Sequence, residues 1–332
     1  ALTTGTGIEW GPAVATDGAV AFLASDAATP AHAEVLEGDE SRRPMIAEGV
    51  PPTFPLRALA TPEAVTFEAE DGLVIHGQLF LPPEAAAAGR RPAVLFFHGG
   101  SRRQMLLGWH YLRYYHNAYA LNQYLASRGY VVLSVNYRSG VGYGLEFREA
   151  RDYGARGASE YRDVVAAHGY LAARDDVDPA RIGLWGGSYG GYLTALGLAR
   201  NSDLFAAGVD VHGVHDWNVV IRNFVPSYDA EEREAFARLA YRSSPMSWID
   251  GWRSPVLLIH GDDDRNVPFS ESVDLIEALR KRGVEAEQLV FPDEVHGFLL
   301  HRSWLAAFRT ASDFLDRRLG GMSATEETGG VP

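Results

Sequence analysis

The chain has 332 residues, 46% of them hydrophobic, enough to bury one large core. Its 43 acidic against 30 basic residues leave a formal net charge of −13, which argues against nucleic acid and anionic membrane, since both are bound by basic faces. There is no cysteine, so disulfides, a thiol nucleophile and thiolate metal sites are excluded.

The first 60 or so residues differ from the rest. Residues 12–25 read as two short strands joined across Asp17-Gly18, a hairpin that needs support because two strands alone are marginal. The segment 1–40 is therefore expected to be a β-hairpin unit. Residues 41–62, with Pro44, Pro51, Pro52, Pro55 and Pro62, are expected to form an extended linker. Next, 65–69 and 73–80 read as a hairpin across Asp71-Gly72, the antiparallel opening of a larger unit over 63–320. Residues 93–97 are a buried strand, followed by His98-Gly99-Gly100-Ser101.

An aromatic stretch comes after that loop, with Arg102, Arg103, Trp109, His110, Tyr111, Tyr114, Tyr115, His116 and Tyr119. It is expected to pack a helix onto the core, with solvated arginines, rather than to wall a substrate site or hold a substrate carboxylate. Further strands read at 131–135, 181–185, 205–211, 255–260 and 287–291. His212, His215 and Asp216 have a spacing open to metal binding; without a further ligand cluster nearby the structural reading is preferred. The tail 321–332 is rich in Gly, Thr and Glu and is expected to be disordered. Strands alternating with helical patterns predict an α/β fold, a mostly parallel doubly wound sheet with ligands at the carboxyl ends of its strands.

Ser188 stands in Gly186-Gly187-Ser188-Tyr189-Gly190, a G-x-S-x-G run between the strand at 181–185 and helix-like residues 191–196. Strand, sharp turn and helix with serine at the tip make a nucleophile elbow, and the glycines let strand and helix approach without clashing. Such a turn can also hold a phosphate or close a loop. Residues downstream favour the elbow, because an acid and a histidine come later in hydrolase order, each on a loop after a strand. Residues 261–268 carry Asp262, Asp263 and Asp264, and 292–298 carry His296. The triad this order proposes is Ser188, Asp264 and His296. The three aspartates are also open to reading as a solvated turn or a site for a hard cation, and the turn is preferred over the metal. The backbone N–H of Tyr189 is one oxyanion donor, and the loop after residues 93–97 should supply another.

Three stretches together carry a family likeness: residues 185–192 with Gly-Gly-Ser-Tyr-Gly-Gly, the His260-Gly261 loop reaching Asp264 and Asn266-Val267, and Asp293-Glu294-Val295-His296-Gly297. They resemble the catalytic α/β-hydrolase domain of prolyl oligopeptidase family serine peptidases, most of all the dipeptidyl-peptidase and acylaminoacyl-peptidase branches. The resemblance implies that the acid is the third residue after the loop glycine, which selects Asp264. It implies that Gly100 donates to the oxyanion, as in the HGGP loop of acylaminoacyl peptidases; Ser101 replaces the proline and leaves Gly99 open as the donor. The tyrosine that donates in the other branches is replaced by His98. It further implies that Val214, Trp217 and Phe224 line, with Tyr189, an apolar pocket for the residue before the scissile bond, and that Asn266 grips a substrate carbonyl; core packing is the alternative for Val214 and Trp217.

Segment 1–40 likewise resembles the end of a last β-propeller blade. Since the chain begins at Ala1 without methionine, residues 1–332 are expected to be a piece of a longer protein. The expected activity is hydrolysis of short peptides through an acyl-enzyme, with a carboxylesterase as alternative and a silent binding module as a third reading. The expected partners are a peptide or small ester, with a missing propeller or a second copy as protein contacts. No cofactor and no metal are expected. No long apolar run marks a membrane span and no signal peptide is evident, so a cytoplasmic location is expected.

Overall fold

The computed structural model describes residues 2–37, 41–46, 50–82 and 89–320. The tail expected to be disordered lies outside the described residues. Four strands open the chain, β1 (Ile8–Val14), β2 (Val20–Ser25), β3 (His32–Leu36) and β4 (Arg42–Pro44), in an antiparallel meander of that order. β1 and β2 are the hairpin expected across Asp17-Gly18. β4 falls inside the segment expected to be linker. Its three residues carry no apolar alternation to mark a strand, and Arg42 secures it by pairing with Glu34 on β3 and Glu9 on β1. The meander buries only a small core of Phe22, Ala24 and Leu36. It therefore leans on the larger unit. Ser25 Oγ donates to the Trp109 carbonyl (2.6 Å), Trp109 N–H to the Asp26 carbonyl (3.0 Å), and Tyr119 Oη to the Ala27 carbonyl (2.7 Å).

The larger unit runs β5 (Glu63–Glu68), β6 (Val74–Phe80), β7 (Arg91–Phe97), α1 (Arg113–Ser127), β8 (Val131–Asn136), α2 (Leu145–Arg148), α3 (Tyr161–Ala172), β9 (Val177–Gly187), α4 (Tyr189–Arg200), β10 (Ala207–Val211), α5 (Trp217–Phe224), α6 (Glu234–Arg242), β11 (Val256–Gly261), α7 (Ser270–Lys281), β12 (Ala286–Phe291) and α8 (His301–Leu319). Its eight strands lie in the order β12-β11-β10-β9-β7-β8-β6-β5. The β5–β6 hairpin is antiparallel, and β7 through β12 pair in parallel. Helices cover both faces, so the central strands are apolar at consecutive positions rather than at alternate ones. Ala93, Leu95 and Phe97 of β7 enter the core under α3 and α4, whereas Val94 and Phe96 enter the one under α1 and α8. Sheet order reverses between β7 and β9, so the loops after them are neighbours, and such a switch point is where open parallel sheets bind ligands. No helix among the described residues is long and apolar enough to cross a membrane.

Candidate active site

Ser188 links β9 to α4 with φ 59° and ψ −119°, a backbone conformation rarely adopted by a residue with a side chain. Close packing holds it there. A Cβ on Gly190 would lie 1.9 Å from the Phe97 carbonyl oxygen of β7, and one on Gly186 would lie 2.5 Å from the Gly190 backbone. The turn is pinned by Ser188 N–H donating to the Val211 carbonyl and Tyr192 N–H donating to the Ser188 carbonyl, each 2.9 Å. The loop after β7 lies directly opposite. A Cβ on Gly99 would come within 3.2 Å of Ser188 Cβ, and Gly100, at φ 122°, lines the cavity in front of the serine. The Tyr115 hydroxyl lies 3.2 Å from the same Cβ position on Gly99, and burial pushes its pKa up to about 12, an effect the Arg103 charge partly offsets.

Asp264 and His296 come from the loops after β11 and β12. His296 Nδ1 is 2.6 Å from Asp264 Oδ2, and His260 Nε2 is 3.1 Å from the same oxygen. The other oxygen accepts the N–H groups of Asn266 (2.8 Å) and Val267 (3.0 Å). Burial by itself would raise the Asp264 pKa. The hydrogen bonds from His260 and His296, with the charge of His296, outweigh it and hold the carboxyl well below the usual range. Asp262 and Asp263 are exposed, one accepting from Asp293 N–H and the other pairing with Arg265. They are the solvated turn.

His212 lies against His296 with ring centroids 4.2 Å apart. Its Nε2 meets Tyr114 Oη at 2.8 Å, and its pKa is driven well below normal by burial and then by the neighbouring His296 and His260. It is thus a neutral imidazole backing the partly buried His296. His212, Asp264 and His296 bring one possible metal-ligating atom each within 4.8 Å of one another. His215 and Asp216 have other tasks. His215 Nε2 pairs with Asp210 (2.7 Å), the backbone N–H groups of His215 and Asp216 both donate to the Glu271 carboxylate, and Asp216 caps α5 through Asn218 N–H (2.9 Å). These buried bonds fix the loop that carries Val214 and Trp217.

Ser188, Tyr189, Gly100, Val214, Trp217, Phe224, Asn266 and His296 all line one cavity of about 490 Å³. Trp217 packs on Tyr189 and Tyr192 with centroids 5.5 and 5.1 Å apart. Val214 is buried, but Phe224 is 64% exposed and forms rim rather than wall. Tyr189 Oη donates to Glu160 (2.5 Å), a fully buried carboxyl that also accepts Gly154 N–H. The aromatic stretch divides. Trp109, Tyr115 and Tyr119 pack the core as expected, whereas Arg103, Leu112, Arg113, Tyr114 and Tyr115 also line the cavity, which corrects the purely structural reading of that segment. A larger open groove of about 1260 Å³ lies elsewhere, between the β5–β6 turn and α3, and carries none of these residues. No local pattern marks Glu160, and the patterns that single out His212 and Tyr114 do not indicate these roles, because each residue reaches the site from a distant element. His260 has a weak mark, a histidine four residues before the acid.

A mostly parallel α/β sheet with a serine elbow after its fifth strand and an aspartate–histidine pair on the last two strand-end loops is the architecture of an α/β-hydrolase. Residues 117–322 match the model of the prolyl oligopeptidase family, and the chain belongs to that family. It is 33% identical over 213 residues to dipeptidyl aminopeptidase BIII of Pseudoxanthomonas mexicana, covering 60% of this chain and 30% of that protein. It is 31% identical over 187 residues to the acylamino-acid-releasing enzyme of Arabidopsis thaliana, covering 52% and 24% respectively. Its fold superposes on a Mycobacterium tuberculosis puromycin-hydrolyzing peptidase with a TM-score of 0.78 at 26% identity, over 91% of this chain and 46% of that one. The chain spans less than half the length of each of these relatives.

Proposed function

We propose that this chain is the catalytic part of a serine peptidase that hydrolyses short peptides, of dipeptidyl- or acylaminoacyl-peptidase type. The observation that carries the reading is the gathering of Ser188, Gly100 and His296 around one apolar cavity, with Asp264 hydrogen-bonded behind His296. Ser188 attacks the scissile carbonyl while His296 takes its proton and returns it to the leaving amine. Asp264 fixes the tautomer with Nε2 facing the serine and stabilises the imidazolium. The N–H groups of Tyr189 and Gly100 receive the oxyanion, each contributing a few kcal/mol. Gly100 is preferred because it lines the cavity beside Ser188. Water then attacks the acyl-enzyme with His296 again as base.

Trp217, Val214 and Tyr189 favour a hydrophobic side chain before the scissile bond, with Phe224 at its rim and Asn266 available to a substrate carbonyl. The small core of the antiparallel meander at the amino end suits the last piece of a propeller, and a second copy of the chain is the alternative partner. A cytoplasmic location belongs to the same proposal and is read by cell fractionation. The decisive assay is turnover of a short acyl ester, a free-amine dipeptidyl anilide and an N-acylated aminoacyl anilide, with Ser188→Ala as control. Serine-dependent cleavage of either anilide supports the peptidase and identifies its branch. Cleavage of the ester alone replaces it with a carboxylesterase, and binding without turnover with a silent module.

A further inference from the structure

The chain is strongly acidic, yet the cavity in front of Ser188 is lined by no aspartate or glutamate among the described residues. Its formally charged lining groups apart from His296 are two arginines, Arg103 and Arg113. Both are exposed. Arg103 donates to the Arg102 carbonyl (3.0 Å) and Arg113 to the Leu299 carbonyl (3.2 Å), and neither is paired with a carboxylate among the described residues. The adjacent Arg102 is different, since both its terminal nitrogens are taken by Glu149.

Position gives the pair a role. The aromatic pocket of Tyr189, Val214 and Trp217 lies on α4, α5 and the loop before α5. Arg103 is set against Gly100, and Arg113, in the first turn of α1, is tied through Leu299 to the loop that carries His296. His296 delivers its proton to the departing amine, so the leaving group departs on the side of that loop. Guanidiniums without a carboxylate partner there meet whatever charge the leaving group bears. Each offers a planar fork matched to a carboxylate, and the positive end of the α1 dipole adds to the same field.

Resting on the peptidase reading, we propose that Arg103 and Arg113 select substrates whose leaving group ends in a free carboxylate, that is, short peptides cut within one or two residues of their carboxyl terminus. The arginines are specificity determinants on the leaving-group side.

The test compares N-acetyl-Phe-Ala with N-acetyl-Phe-alaninamide, and in parallel the corresponding esters of lactic acid and lactamide. Hydrolysis is measured in the wild-type chain, Arg103→Gln, Arg113→Gln and the double variant. For solvent-accessible guanidiniums the acid is expected to exceed the amide in kcat/KM by roughly tenfold. Each single variant should lose part of that ratio and the double variant nearly all of it, and added salt should narrow whatever ratio remains in the wild type and the single variants. Equal rates for acid and amide, or a preference that survives the double variant, overturn the inference and leave the peptidase reading intact. Cleavage of the esters but of neither peptide, together with no cleavage of the free-amine dipeptidyl anilide, overturns the peptidase reading instead, and the acid-to-amide ratio within the ester pair still decides the role of the arginines. Calorimetric binding of the same two peptides to Ser188→Ala reads the preference without turnover.

Discussion

Glu160 offers a quantitative test of how the wall beside Ser188 is built. Its carboxyl is fully buried, accepts the Tyr189 hydroxyl at 2.5 Å and Gly154 N–H at 2.9 Å, and has its pKa pushed up from 4.5 to about 7. Desolvation is the main cause, and the hydrogen bonds from Tyr189 and Gly154 offset it only in part. The folded state therefore binds this proton more tightly than the unfolded one. The resulting stabilisation is complete below about pH 4.5 and is lost as pH rises through about 7. A rise of that size corresponds to about 3 kcal/mol between the two ends of the window. Glu160→Gln keeps an acceptor for Tyr189 and Gly154 and removes the titration. The variant should be less stable than wild type at pH 5, where its amide N–H groups lack partners, and should gain about 3 kcal/mol relative to wild type by pH 8. Urea unfolding of both proteins at several pH values measures the difference, in which groups common to both cancel. Asp163, raised to about 6 by burial, titrates in the same window and is coupled to Glu160, so it is the one group whose contribution does not fully cancel. A stability difference constant within about 0.5 kcal/mol from pH 5 to 8 would refute the reasoning, because the buried carboxyl would then keep its ordinary pKa.

Asp264→Asn turns an amide toward the two histidines that both donate to this carboxylate; kcat should fall by about 10⁴-fold with far-UV circular dichroism unchanged, and a loss below about tenfold would remove Asp264 from the mechanism. Trp217→Ala opens the pocket that Trp217 shares with Tyr189 and Tyr192, so kcat/KM should drop roughly tenfold or more on large hydrophobic acyl groups and little on acetyl. An equal fall on both would show that Trp217 acts on the fold rather than on selectivity. Gly108→Ala places a Cβ 2.7 Å from the Asp26 carbonyl, at the seam between the amino-terminal meander and the hydrolase unit. Overpacking there should cost about 1–3 kcal/mol and speed tryptic cleavage after Arg42, and an unchanged cleavage rate would show that the meander is held elsewhere.

The hydrolase half was legible because its signals are local. Buried parallel strands are continuous apolar runs, and an elbow must be glycine-rich because β7, β9 and α4 pass too close for side chains. The meander was half legible. Asp17-Gly18 announces β1 and β2, but β4 is held by ion pairs of Arg42 that no periodicity records. The stretch from Arg102 to Tyr119 misled, since aromatic density says that a segment packs and not against what. One of its tyrosines supports His212, two of its arginines face the serine, and Trp109 holds the meander.

By itself, then, the sequence determined where the strands of the hydrolase unit fall along the chain, the glycine-rich turn at Ser188, and Asp264 and His296 on loops after strands, because each is fixed by residues adjacent in the chain. Only the tertiary structure decided which oxygen of Asp264 is shared by two histidines, that a neutral His212 backs His296, that Glu160 is sealed beneath Tyr189, and that Arg103 and Arg113, and no carboxylate among the described residues, line the cavity beside Ser188. Those are consequences of burial and of contacts between distant elements, where desolvation and Coulomb forces act through space and leave no pattern along the chain.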